Sequence, residues 1–217
     1  MKILSHRGYW KTEEEKNKNV AFVRSFAQGF GTETDVRDFN GRLVISHDIA
    51  TGTEICFDDF LKLANSHNSS EPMTLALNVK SDGLASLLHQ AIINNSSLDC
   101  FVFDMSIPDM RGYLNKDIPV FTRMSEVEQK PAWLDQCVGV WLDSFESEWF
   151  DNSLILDLLN QRKRVCIVSP ELHKRSHLGF WKRIKPLASE PRLMLCTDHP
   201  ERAQEFFQND TKGCHDY

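Results

Sequence analysis

Residues 74–80 read Thr-Leu-Ala-Leu-Asn-Val-Lys and alternate strictly: Leu75, Leu77 and Val79 share one face, Thr74, Ala76, Asn78 and Lys80 the other. The apolar face suits packing against helices, and the other suits the interior and mouth of a parallel barrel. Working outward, short apolar runs bounded by turn or polar residues recur at 2–6, 33–37, 74–80, 100–105, 118–122, 138–143, 164–169 and 193–197. Between them, Val20, Val23, Ala27 and Phe30 recur at helical spacing, as do Leu84, Leu87, Leu88 and Ala91. Eight strands alternating with helices predict an α/β chain folded as one (β/α)8 TIM barrel over residues 1–217, in preference to an open doubly wound sheet. After the second strand, Asp38-Phe39-Asn40-Gly41 predicts a tight hairpin turn that folds the run 41–48 back beside it.

Composition sets outer limits on function. With 41% hydrophobic and 26% charged residues, the chain has the balance of a globular protein with a core. A net charge of −6 argues against a nucleic-acid partner held through its backbone, while leaving room for a local cationic pocket. The longest apolar runs, such as 138–142, fall far short of the roughly 20 residues needed to span a bilayer, so no membrane span is expected. The start, Met-Lys-Ile-Leu-Ser-His-Arg-Gly, lacks the apolar region of about 7–15 residues of a secretory signal, and the expectation is a cytoplasmic protein. Six scattered cysteines (Cys56, Cys100, Cys137, Cys166, Cys196, Cys214) read as reduced thiols, since disulfide frames and zinc sites use short paired spacings. No Gly-x-Gly-x-x-Gly or P-loop sequence follows any strand.

In such a barrel the chemistry sits at the carboxyl ends of the strands. Those ends carry His6-Arg7, Glu33 and Asp35, Asn78 and Lys80, Asp104, Arg123, Asp143, Glu171 and His173, and Asp198. Glu33 and Asp35 lie on one strand face and would repel unless a cation sat between them; a hard divalent cation with oxygen ligands is the usual solution. The bland alternative is an exposed edge on which Glu33, Asp35 and Arg37 form a surface salt bridge. His6 and His47, taken singly, read as ordinary surface or hydrogen-bonded histidines rather than as catalytic ones, and His47-Asp48 lacks the helical histidine ligands of metal phosphohydrolases bearing that dipeptide. The run 169–175 crowds Glu171, His173, Lys174 and Arg175 into one loop, suited to a leaving group or a second anion, or simply to solvent. Trp141 and Trp149 either line the mouth or serve packing.

Together, His-Arg-Gly (6–8), Glu-Thr-Asp-Val (33–36), Gly-Arg-Leu-Val-Ile-Ser-His-Asp (41–48) and Thr-Asp-His-Pro (197–200) resemble the glycerophosphodiester phosphodiesterase family. The match in order and spacing is closest over the first 50 residues and thinner beyond residue 80. The resemblance implies a barrel related to phosphatidylinositol-specific phospholipase C and the sphingomyelinase D enzymes, cleaving a small-molecule phosphodiester with a divalent cation such as Mg²⁺ or Ca²⁺. It places His6 and His47 as the catalytic histidines and Glu33 and Asp35 as metal ligands. Arg7 and Lys80 are expected to hold phosphate oxygens, with Glu171 and His173 on the substrate. Two positions depart. The family's acidic residue on the third strand is here Asn78, which offers a carbonyl oxygen but one less negative charge, and Lys16-Asn17-Lys18 stands where Glu-Asn-Thr is usual. The departure at Asn78 keeps open a barrel that binds a phosphodiester and turns it over weakly or not at all.

Overall fold

The computed structural model describes residues 1–67 and 71–208. Eight parallel strands form the wall: β1 (Lys2–His6), β2 (Gly31–Phe39), β5 (Thr74–Val79), β6 (Asp99–Phe103), β7 (Phe121–Met124), β8 (Gly139–Leu142), β9 (Arg164–Val168) and β10 (Leu193–Thr197). The hairpin strand β3 (Arg42–Ile45) pairs antiparallel with β2, and β4 (Ile55–Cys56) pairs with β3. At the hairpin tip both Asn40 (φ 49°) and Gly41 (φ 76°) are left-handed, the pair of conformations a type I′ turn requires.

The ring runs β1-β2-β5-β6, then β7-β8-β9-β10 and back to β1. Most neighbouring strands pair over three to five residues, but β6 and β7 meet through the single bridge Val102↔Val120, with Val102 N donating to Pro119 O at 2.9 Å. Above this thin seam, Arg123 on β7 forms an ion pair with Asp104, the residue after β6. Below it, Arg164 crosses the barrel floor to Asp99 in a two-pronged pair (2.8 and 2.5 Å), its guanidinium beneath the rings of Phe101 and Phe121.

Helices cover the outside: α1 (Asn19–Ala27), α2 (Phe57–Asn65), α3 (Ala85–Ile93), α4 (Ile107–Leu114), α5 (Asn152–Asn160), α6 (Leu178–Ile184) and α7 (Pro200–Gln208). No helix is described between β7 and β8, where residues 125–138 run as turns and loop. Among the described residues no helix is long and apolar enough to cross a membrane. The eight expected strands are all present, the fifth displaced toward its carboxyl side. The helix expected from Val20 and Val23 also forms, but those two residues are nearly half exposed (47% and 45%) while Phe22, Ser25 and Phe26 face inward. The clustered phenylalanines Phe22, Phe26 and Phe60 bury more surface than two valines can, and they decide the helix's rotation.

Leu75, Leu77 and Val79 pack outward under the helices, as the alternation in 74–80 requires, whereas Ala76 lies inside with Leu4, Phe101, Phe121, Trp141, Cys166 and Met194. Phe101 stacks on Phe121 and Phe103 on Trp141, each pair with ring centroids 3.8 Å apart. Trp141 is thus interior packing, and Trp149 donates from Nε1 to Asp143 O at 2.7 Å. Cys100, Cys137, Cys166 and Cys196 are buried free thiols and Cys56 is a half-buried one; Cys214 lies outside the described residues.

Candidate active site

The carboxyl ends of β1, β2, β5 and β10 converge on one polar cluster. His6 ends β1, and the next two residues turn the chain sharply: Arg7 is left-handed (φ 57°), as is Gly8 (φ 85°). A Cβ at Gly8 would lie 2.8 Å from that of Ala21, so the third residue of His-Arg-Gly must be glycine. The turn aims the Arg7 peptide N–H at Glu33, whose Oε2 accepts it at 3.2 Å, and sets Arg7 Nε 2.9 Å from Asp35 Oδ2 in a close ion contact.

Glu33 and Asp35 are 2% and 0% exposed, which sets aside the exposed-edge salt bridge. Arg37 instead donates from Nε to His47 O at 3.2 Å. The two carboxyls are pushed in opposite directions. Burial, reinforced by the neighbouring charge of Asp35, raises Glu33 to about 7 against the pull of His6, Arg7 and Lys80. Burial also acts upward on Asp35, but Arg7, Lys80 and the Asn17 amide outweigh it and hold the group below the usual carboxylate range. Such splitting of adjacent acids by their surroundings marks sites of proton and charge chemistry.

Asn17 is a member of the cluster that the sequence reading passed over. Its Nδ2 donates to Asp35 Oδ2 at 2.8 Å while its Oδ1 accepts from Thr34 Oγ1 at 2.9 Å, so it clamps β2 from the loop after β1. Its place in the displaced Glu-Asn-Thr position was the available signal. Lys80 Nζ lies 3.3 Å from Asp35 Oδ1, and Asn78 is the cross-strand register partner of Asp35.

His6 stands between two acids: its Nδ1 is 2.7 Å from Asp198 Oδ1 and its Nε2 is 3.9 Å from Glu33 Oε2. The carboxylate of Asp198 can only accept, so Nδ1 carries a proton, and whenever the ring is neutral it is Nε2, on the Glu33 side, that holds the lone pair. Burial would raise Asp198, yet the hydrogen bond and charge of His6 hold it below the ordinary range. His47, just past β3, is brought beside β2 by the bond from Ser46 N to Asp35 O (3.0 Å), and its charge contributes to lowering Asp35. Its imidazole is half exposed, with Nδ1 2.9 Å from Asp48 Oδ1.

The loop after β9 is placed at the side of this cluster. His173 Nε2 pairs with Asp143 Oδ1 at 2.7 Å, and its ring meets Phe145 edge-on. Glu171 directs both oxygens toward Ser169, Thr197 and the Asp198 peptide N–H. Toward the seam, a cleft of about 470 Å³ opens beside Asn78 and Lys80 and is walled by Asp104, Arg123 and Glu128. Burial raises the Asp104 carboxyl despite its Arg123 partner.

The donor set suits a hard divalent cation: two buried carboxylates and an amide carbonyl, with Asn78 Oδ1 buried and lacking a hydrogen-bond partner and Asp35 Oδ1 buried with the Lys80 ammonium in ion contact. Among the described residues no three His, Cys, Asp or Glu side chains form a ligand set; the further oxygen beside the two acids is the neutral amide of Asn78, across from Asp35 in the register.

No protein-family model and no curated protein matches the sequence. Solved structures do match. A glycerophosphodiester phosphodiesterase from Agrobacterium tumefaciens is 14% identical, with a TM-score of 0.70 over 98% of this chain and 100% of that one. A glycerophosphoryl diester phosphodiesterase from Parabacteroides distasonis is 13% identical, with a TM-score of 0.55 over 96% of this chain and 86% of that one. Across essentially its whole described length, the chain has the fold of these two structures.

Proposed function

We propose that the protein is a phosphoric diester hydrolase that uses a divalent cation, Mg²⁺ or Ca²⁺, to cleave a small glycerophosphodiester-like or glycan-linked phosphodiester. The observation that carries this reading is the juxtaposition, at the barrel mouth, of the oppositely shifted pair Glu33 and Asp35 with a His6 whose free Nε2 faces them. The likeness to two solved phosphodiesterases, together with the ordered motifs His6-Arg7-Gly8, Glu33-Thr34-Asp35 and His47-Asp48, supports it.

In this reading Glu33, Asp35 and Asn78 hold the cation. A bound cation draws electron density from a nonbridging phosphate oxygen and offsets the charge that grows in the transition state. Arg7, a planar fork, and Lys80, a point charge, hold the remaining phosphate oxygens. His6 Nε2 takes the proton of the attacking hydroxyl as the new O–P bond forms, and His47 gives a proton to the departing alkoxide as the old P–O bond breaks. The attacking hydroxyl belongs to water or to a carbon next to the diester, the second case giving a cyclic phosphate. His173, at the rim, meets the leaving group.

The test is hydrolysis of a panel of glycerophosphocholine, bis(p-nitrophenyl) phosphate and nucleotide-linked glycerol, with Mg²⁺, Ca²⁺ or Mn²⁺ against a chelator. Metal-dependent turnover that disappears in the His6→Ala, His47→Ala double variant supports the proposal. Turnover unaffected by the chelator and by the double variant refutes it. Asn78 favours a second reading, a barrel that binds the diester without turning it over, and a large gain of activity in Asn78→Glu would favour it.

A further inference from the structure

We propose that Glu171 is a positioning residue that acts on His6 through Asp198. The inference rests on the reading of His6 as the base, and it deepens that reading by extending the machinery to a strand with no side chain in the metal cluster. Glu171 lies in the short 3-10 turn Pro170–His173 that follows β9. Its Oε2 accepts from Ser169 Oγ at 2.5 Å, and its Oε1 accepts from Thr197 Oγ1 and from Asp198 N, the latter at 3.2 Å. The side chain is 9% exposed, and the next polar neighbour is His177 Nδ1 at 3.7 Å. Three convergent donors call for a group that only accepts, which a carboxylate is. Three of the carboxylate's roughly four acceptor sites are thus taken by the protein itself, which makes Glu171 an anchor of the surrounding chain.

What this anchoring secures is the corner where β10 ends. Thr197 Oγ1 donates to Glu171 and accepts from His199 N at 3.0 Å, folding residues 197–199 into a tight local turn. Asp198 sits in the middle of that turn, with its peptide N–H on Glu171 and its carboxylate on His6 Nδ1 at 2.7 Å. With the Asp198 backbone anchored, little beyond its own side-chain torsions is left to vary, and they aim it at the imidazole. Without Glu171 the chain on either side of Asp198 stays tied, through Thr197 to β1 and through His199 to α7, but the Asp198 peptide N–H itself loses its acceptor, and a displacement on the order of 1 Å at a catalytic group costs about 100-fold in rate.

The experiment reads His6 directly. In protein labelled with 15N-histidine, the His6 ring signals are identified by their loss in His6→Gln and recorded at a pH where the ring is neutral. The wild type is expected to show the Nδ1–H form, and Asp198→Ala to move the ring toward Nε2–H. Glu171→Ala should move it the same way by a smaller step. Glu171→Gln keeps an acceptor oxygen for Thr197 and Asp198 N and should recover most of the wild-type signature. In the Glu171→Ala, Asp198→Ala double variant the ring should match Asp198→Ala alone, because the first change acts only through the second. On a turned-over diester, Glu171→Ala should lower kcat about 10- to 100-fold with KM little changed, and add nothing to the loss in Asp198→Ala. A His6 ring unchanged by Glu171→Ala, or losses that multiply in the double variant, would overturn the proposal. Should Glu171→Ala not fold, Thr197→Val removes one donor from the same carboxylate, and an unchanged His6 ring there overturns it equally. If the wild type turns over no diester, the functional reading fails, while the ring signals still decide the coupling.

Discussion

His6 and Asp198 are 192 positions apart in the chain, yet Nδ1 of one lies 2.7 Å from Oδ1 of the other. His6 ends β1 and Asp198 directly follows β10, its parallel neighbour in the ring, so the first and last strands of the barrel jointly build the proposed base. An amide at position 198 could donate as well as accept and would stabilise the opposite tautomer. Asp198→Asn is therefore expected to lower kcat/KM by about 10²- to 10⁴-fold, the range associated with losing general base catalysis, while circular dichroism and thermal unfolding stay near wild type.

Asn78 supplies the neutral member of the proposed cation site. Replacing it by Glu adds a charge, and Asn78→Glu is expected to bind Mg²⁺ or Ca²⁺ more tightly than wild type in titration calorimetry. Asn78→Leu removes the oxygen and should weaken binding by about 10-fold or more, the scale seen when groups supporting a metal site are lost.

Stability without metal should depend on pH through Glu33. Its carboxyl is raised by burial and by Asp35 from 4.5 to about 7 in the folded protein. Between those two values the folded state keeps a proton that the unfolded chain has released, so rising pH favours unfolding. Unfolding by urea in the presence of chelator should show stability full below the lower value, declining through the window and level above about 7. In Glu33→Gln that decline should vanish, and saturating Mg²⁺ should suppress it in the wild type.

The barrel was legible in the sequence because strand rhythm and two-sided alternation are local signals, and 74–80 shows both. The hairpin was legible from Asn40-Gly41 for the same reason. The rotation of α1 was not, since it depends on Phe60, far along the chain, packing against Phe22 and Phe26. Within the site, the two-residue spacing of Glu33 and Asp35 could be read, but their burial and opposite shifts arise from Arg7, Lys80 and Asn17 arriving from other loops. Asp198 was visible as a strand-end residue. Its partnership with His6 depends on ring closure, which no local pattern encodes.

Two glycines near the barrel floor give a test of packing. A Cβ at Gly31 would clash with the Leu4 side chain and come 2.8 Å from Thr74 O; at Gly139 it would come 2.5 Å from the Phe121 ring and 2.7 Å from Arg164 O. Gly31→Ala and Gly139→Ala are each expected to lose about 1–3 kcal/mol or more in urea unfolding, the cost of overpacking where backbone must yield. Gly29→Ala, where a Cβ meets nothing but the φ of +74° is strained, should lose less.

The single bridge between β6 and β7 bears on how the molecule breathes. Main-chain bonds are sparsest there, so excursions short of global unfolding should begin at that point, with the Val102 amide exchanging its hydrogen for deuterium ahead of those in β9 and β10. The Asp104–Arg123 pair is then a clasp across the gap, and cutting it should widen the difference in exchange. Because the cleft beside Asn78 and Lys80 is walled by that same pair, a molecule lodging in the cleft would hold the clasp shut, and slowed exchange at the Val102 amide would reveal its arrival without any assay of turnover.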